Sequence, residues 1–172
     1  YQMLGEKVCD PLHVESDNDE VEGLGLLPYT TSMHGKKNTY QVLFDCEDLL
    51  FLDMKFSGKK MRGYEIHMGE TTLTKPMQSL FHITQRSEEP VDLMDGYINE
   101  AHNVFGTYCH GIFDNDEIRR EVINALRRRK GLKDLPIQFH DRQYKESEFD
   151  RLAATVRKHF DMDAFYKILE NE

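Results

Sequence analysis

Alternation of apolar and polar positions is the first pattern along the chain. In the stretch 39–46, Tyr40, Val42 and Phe44 alternate with polar neighbours, which predicts a strand with one buried face. Leu24, Leu26 and Leu27, running into Pro28, suggest another. Short strands are also expected at 63–70, 80–85, 96–100 and 104–110, separated by the Gly, Pro, Ser and Asp residues that favour turns. The total is five or six short strands.

After residue 115 the period changes. Ile118, Val122 and Leu126 recur every four residues, and so do Phe149, Leu152, Val156 and Phe160, which predicts two amphipathic helices. Asn115 is placed to cap the first, with Asp116 and Glu117 favourable in its opening turn, and Ser147 to cap the second. The cluster Arg127-Arg128-Arg129-Lys130 suits a helix C-terminus. Asp161-Met162-Asp163 reads as a break before a final helix holding Phe165, Ile168 and Leu169. At the other end, residues 1–8 read as the first turns of a helix and the carboxylate-rich 13–22 as a loop.

Composition narrows the class. A chain of 172 residues is the size of one domain with one core, so 1–172 is taken as a single unit. With 22 basic against 31 acidic side chains the net charge is −9, which disfavours nucleic acid and anionic membranes as partners. No run approaches the ~20 apolar residues that span a bilayer. Cys9, Cys46 and Cys109 lack CxxC spacing, which argues against disulfides and structural zinc and fits a reducing, cytoplasmic setting.

Few residues invite chemistry. His110 stands at an expected strand end, and Gly111 lets the backbone turn there, so its imidazole would be presented at the sheet edge as a structural histidine or a general base. Glu65 and His67 lie two apart on an expected strand and share a face. They would either hydrogen-bond each other or line a substrate pocket. A hydrolase using Glu65, His67 and His110 around a metal is conceivable, but no metal-binding motif supports it. Cys109 should point away from its neighbour His110 and behave as a core thiol. Neither GxxxxGK[ST] nor GxGxxG occurs, so ATP would need another domain.

Five phrases in order carry a family resemblance. They are Tyr1-Gln2-Met3-Leu4-Gly5, Gly23-Leu24-Gly25-Leu26-Leu27-Pro28, GYEIHMG at 63–69, GTYCHGIFDND at 106–116, and Phe149-Asp150-Arg151-Leu152-Ala153. Together they resemble, nearly end to end, the C-terminal glutamine amidotransferase domain of the cobyric acid synthase family. The resemblance implies an α/β fold of the class I (triad-type) amidotransferase kind, a flavodoxin-like three-layer sandwich around a mostly parallel sheet. It also implies an N-terminal truncation, with a nucleophilic cysteine three positions before Tyr1, so that this piece alone would be inactive.

On the same resemblance His110 matches the catalytic histidine. Gln2, Glu65, His67 and Gly69 match the substrate site, and no metal is expected. The implied chemistry is thiolate attack on glutamine, a thioester, and release of ammonia. That ammonia would pass to an N-terminal synthetase domain, where ATP and Mg2+ serve amidation of a corrinoid in cobalamin (vitamin B12) biosynthesis. Many class I amidotransferases carry a glutamate two residues after the histidine, where this chain has Ile112, so a Cys-His dyad is implied. The alternatives are the glutaminase domain of the cobyrinic acid a,c-diamide synthases and a non-enzymatic amidotransferase-like interaction or regulatory module.

Overall fold

A long antiparallel hairpin dominates the structure, a computed structural model that describes residues 1–170. Its arms are β3 (Tyr29–Phe51) and β4 (Met54–Leu73). They are joined by Leu52 and Asp53 alone, with Leu52 at φ 54°. The polar runs that read as breaks are carried through because each arm satisfies the other's backbone groups.

The remaining strands are β1 (Lys7–Cys9), β2 (Glu20–Glu22), β5 (Gln78–Arg86), β6 (Glu89–Ile98), β7 (Phe105–Gly106) and β8 (Cys109–His110). One sheet contains all eight, in the order β2-β1-β3-β5-β6-β7, with β4 against β3 and β8 against β4. Among the described residues, only β1 and β3 run parallel. The class is α/β with a mixed sheet, consistent with the class I amidotransferase-like fold, but the expectation of a mostly parallel sheet is corrected. A parallel pair needs a crossover of a dozen or more residues, whereas β3–β4 and β5–β6 are joined by two-residue turns.

Other expectations shift locally. Residues 1–8 form a 3₁₀ turn (Gln2–Leu4) followed by β1, and 23–27 is not a strand. Its backbone N–H groups donate to the carbonyls of Met3, Leu4 and Gly5, so its hydrogen bonds go to the chain start instead of a ladder.

Helix α1 (Asp116–Arg129) buries Ile118 and Ala125, with Val122 partly buried beside them, while Leu126 faces outward. These positions follow the i, i+4, i+7 spacing. Asn124, also buried, exchanges two hydrogen bonds with the backbone of Leu135 and ties down the segment after the helix. The core packs α1 against the sheet through Phe44, Phe81, Met54 and Ile83, with Phe44 and Phe81 meeting edge-on at 4.9 Å.

The chain divides into two units, one of residues Tyr1–Pro136 and a second that starts at Ile137. In the second, α2 (Asp141–His159) precedes α3 (Met162–Glu170). Ser147 lies inside α2, its hydroxyl donating to the Tyr144 carbonyl, so it is no cap. Asp161 does cap α3, accepting from the Ala164 N–H at 2.9 Å. Among the described residues no helix is long and apolar enough to cross a membrane.

The buried acids of the first unit set its response to alkali. Burial pushes the Cys46 thiol up from 9.0 to about 11, and it also raises Cys109, Tyr1 and Tyr29. Between pH 9 and about 11 the folded chain keeps the Cys46 proton that the unfolded chain has lost. Folding then binds protons, so stability falls as pH rises through that window. Urea unfolding at pH 10 should show a lower midpoint than at pH 7; equal midpoints would contradict the assignment.

Candidate functional site

His110 is the second residue of the two-residue β8, and Gly111, at φ 75°, ends the strand at once. A left-handed residue is needed there to turn the chain into the 3₁₀ turn Ile112–Asp114, and glycine adopts it without strain. Cys109 pairs with Glu65 and His110 with Tyr64. The side chains accordingly alternate: Cys109 is buried, and the His110 ring is exposed, parallel to the Tyr64 ring with centroids 5.0 Å apart.

Two clamps hold this short strand. The buried Asp95 carboxylate accepts from the Thr107 hydroxyl and from the N–H groups of Tyr108 and Cys109, at 3.2 and 3.1 Å for the last two. On the other side, Asn115 occupies the N-cap position of α1, but its side chain makes no capping bond to the helix. Its Oδ1 accepts from the Arg62 N–H at 3.0 Å, and its Nδ2 donates to the carbonyls of Arg62, Gly111 and Ile112. The carboxamide engages four backbone groups across β4 and the turn, with one N–H shared between two carbonyls, which outweighs one local bond to its own helix.

Strand β4 separates two faces. Glu65, His67 and Gly69 alternate on one, and Tyr64, Ile66 and Met68 on the other. Glu65 is 1% exposed and paired with Arg86, whose Nε and Nη2 donate to the two carboxylate oxygens at 2.7 and 3.0 Å. The Arg86 guanidinium also sits 5.0 Å from the Tyr40 ring centroid. Glu65 and His67 thus share a face without bonding each other. His67 pairs Nδ1 with the Gly69 carbonyl at 2.8 Å and stacks on Tyr108 at 4.0 Å.

Gly69 is where chains approach most closely. A Cβ there would lie 2.6 Å from the Thr31 side chain, 2.9 Å from the Gln2 amide and 3.1 Å from the Tyr108 hydroxyl. Glycine lets the chain start, β3 and Tyr108 meet β4 at one point. Gln2, His67 and Gly69 are therefore gathered around Tyr108.

Two cavities flank this strand. One of about 460 Å³ lies where β3 bulges between Met33 and Asn38, and His67, Gly69, Arg86 and Asp95 are among its walls. The other, of about 360 Å³, is lined by Gln2, Met3, Asp10, Met33, Ile66 and Met68 among others. Asp10 anchors the wall of the second cavity. Burial pushes its carboxyl up, but three N–H donors, from Glu15, Val14 and Ser16, outweigh that and hold it below the usual range.

Ile66 follows Tyr64 by two residues, about 7 Å along the strand. His110, beside Tyr64, therefore borders the face that forms the smaller cavity, while the Glu65 and His67 side chains point away from it. Among the described residues no group of three or more His, Cys, Asp or Glu is placed to hold a metal ion.

Sequence reasoning missed Arg86, Asp95, Tyr64 and the true work of Asn115. Arg86 stands 21 residues from Glu65, and nothing local marks it as a partner. Asp95 and Thr107 flank a turn without a motif of their own. Tyr64 had a usable signal, since it lies within the same phrase as Glu65 and His67.

The chain is similar to known proteins along nearly its whole length. Residues 1–118 match the model of the CobB/CobQ-like glutamine amidotransferase domain. The chain is 41% identical over 171 residues to cobyric acid synthase of Caldanaerobacter subterraneus subsp. tengcongensis, covering 99% of this chain and 34% of that one. It is 43% identical over 174 residues to that of Alkaliphilus metalliredigens, covering 100% and 35% respectively. For Streptococcus sanguinis the identity is 39% over 173 residues, covering 100% and 33%. The chain spans about a third of the length of the curated relatives it matches. On the match of residues 1–118 and these identities, the chain belongs to the CobB/CobQ-like glutamine amidotransferase family.

Proposed function

We propose that the chain is the glutaminase part of a cobyric acid synthase, supplying ammonia for amidation of corrinoid side-chain carboxylates in cobalamin biosynthesis. The observation that carries this is the placement of His110 on the same face of β4 as Ile66 and Met68, which line a cavity together with Gln2. The ring stands beside Tyr64, two residues or about 7 Å along β4 from Ile66 in the cavity wall, and the cavity of about 360 Å³ is large enough for one amino acid.

In this reading a cysteine three positions before Tyr1 is the nucleophile. His110 takes its proton, the thiolate attacks the side-chain amide carbon of glutamine, and the imidazolium returns a proton to the departing ammonia. A thioester remains. Water then adds to it with His110 again as base, releasing glutamate and the thiol.

Gln2 would contact the substrate through its carboxamide, and Gly69 would admit the close approach that brings Gln2 to β4. Glu65 and His67 would serve from behind, holding the strand that forms the cavity wall. ATP and Mg2+ would act in a synthetase domain outside this chain, which receives the ammonia.

The test is ammonia release from glutamine by the full-length protein, with the residue three positions before Tyr1 intact and replaced by alanine. Loss of release in a folded variant is the expected result. Undiminished release would overturn the reading; Cys109 and Cys46, buried with raised thiol pKa values, are poorly suited to replace the missing nucleophile.

A further inference from the structure

An exposed imidazole on a strand of two residues has two side-chain torsions to restrain before it can meet a substrate repeatedly in one geometry. The residue two places further on cannot restrain it, because Ile112 is apolar and 8% exposed, turned into the core. The ring does have a partner on its flat side. Tyr64 lies parallel to His110, with 9° between the planes and 5.0 Å between centroids.

This pairing is built into the backbone. Tyr64 and His110 are direct partners across β4 and β8, so both side chains leave the sheet on the same face. Asn115 holds the strand segment and the turn together, bonding the Arg62 backbone on one side and the Gly111 and Ile112 carbonyls on the other. Gly111 packs beside the edge of the same tyrosine ring, since a Cβ there would lie 3.6 Å from Tyr64 Cε1.

We propose that Tyr64 is the positioning residue of this site, a stacked ring that sets the plane of the His110 imidazole and so does the work an orienting carboxylate would otherwise do. Stacking suits the task. It fixes the ring plane while leaving both nitrogens at the ring edge, open to a thiol and to a departing amine. A parallel ring with its centroid 5.0 Å away also favours the imidazolium formed in mid-reaction, because the face of the tyrosine ring carries negative electrostatic potential. The phenol hydroxyl has no part in either effect, so phenylalanine should replace tyrosine. The inference rests on His110 being the base.

The experiment measures kcat and KM for glutamine hydrolysis in the full-length protein carrying Tyr64→Phe, Tyr64→Leu, Asp114→Asn or His110→Asn. Asp114 is included because its Oδ2 lies 3.6 Å from a Cβ built on Gly111, which makes it a carboxylate of the turn with a rival claim. The expected result is kcat within about 3-fold of the parent for Tyr64→Phe and Asp114→Asn, and a fall of about 100-fold in kcat for Tyr64→Leu. For that leucine variant KM should stay within about 3-fold, and amidation driven by free ammonia should be unchanged.

Full kcat in Tyr64→Leu would overturn the proposal. Equal loss in Tyr64→Phe would overturn it too, by assigning the effect to the hydroxyl, and loss in Asp114→Asn alone would transfer the role to the carboxylate. Activity surviving in His110→Asn would instead defeat the assignment of the base, and this outcome is separable from the others in the same assay.

Discussion

Replacing His110 with asparagine in the full-length protein is expected to lower glutamine hydrolysis by about 10²–10⁴-fold, the usual contribution of a positioned general base. Amidation driven by free ammonia should continue at nearly the parent rate. The two effects separate because His110 sits on the exposed face of a two-residue strand, paired across the ladder with a half-exposed tyrosine and contributing nothing to the core. Asparagine removes the proton acceptor and preserves the strand, which is held by Asp95 and Asn115 from either side. The measurement is paired initial rates with glutamine and with an ammonium salt. An equal fall in both would mean that the variant had disturbed the fold or the synthetase reaction, and that the ring is not the base.

Glu65→Ala should be strongly destabilising. It strips a half-buried arginine partner of its carboxylate, and removing one member of a buried pair typically costs about 3–5 kcal/mol. The lower end is expected here, because the Arg86 side chain is 26% exposed and water screens part of the loss. Arg86→Ala should cost at least as much, since it leaves the carboxylate, whose side chain is 2% exposed, without its bidentate donor. The double change to apolar residues of similar size, Glu65→Leu with Arg86→Met, should recover most of the loss, because neither charge then remains buried alone. Urea unfolding of the parent and the three variants makes the comparison. A loss below about 1 kcal/mol in both single variants would show that the pair is solvated and contributes as little as a surface ion pair.

Much of this architecture was readable before any coordinates. Alternation at Tyr40, Val42 and Phe44 correctly announced a strand with one buried face, and the four-residue period of Ile118 and Val122 announced α1. The pairing of His110 with Gly111 marked a strand end with an exposed ring, as found. The strand parity of Glu65 and His67 also held, although their partners did not follow from it.

Other parts were misread for identifiable reasons. Asn115 has the residue type and position of a helix cap, but four backbone groups brought within reach of its carboxamide by β4 and the turn outcompeted the helix. Ser147 looked like a cap because helix α2 begins before the apolar period becomes visible. The arms of β3 and β4 ran far beyond their alternating segments because a facing strand satisfies the backbone of polar residues as well as of apolar ones.

Side-chain chemistry and local period were thus settled by the amino-acid order: which segments bury one face, where glycine permits a turn, and which histidine stands at a strand end. These depend on neighbours within a few positions, and such information is present in the order itself. Which groups meet depended on the fold. Arg86 reaches Glu65, Asp95 holds the N–H groups before His110, and Tyr64 lies flat against its ring only once β4 takes β8 on one side and β3 on the other. Contacts between residues tens of positions apart arise from strand register, which packing of the whole core selects and no local stretch encodes.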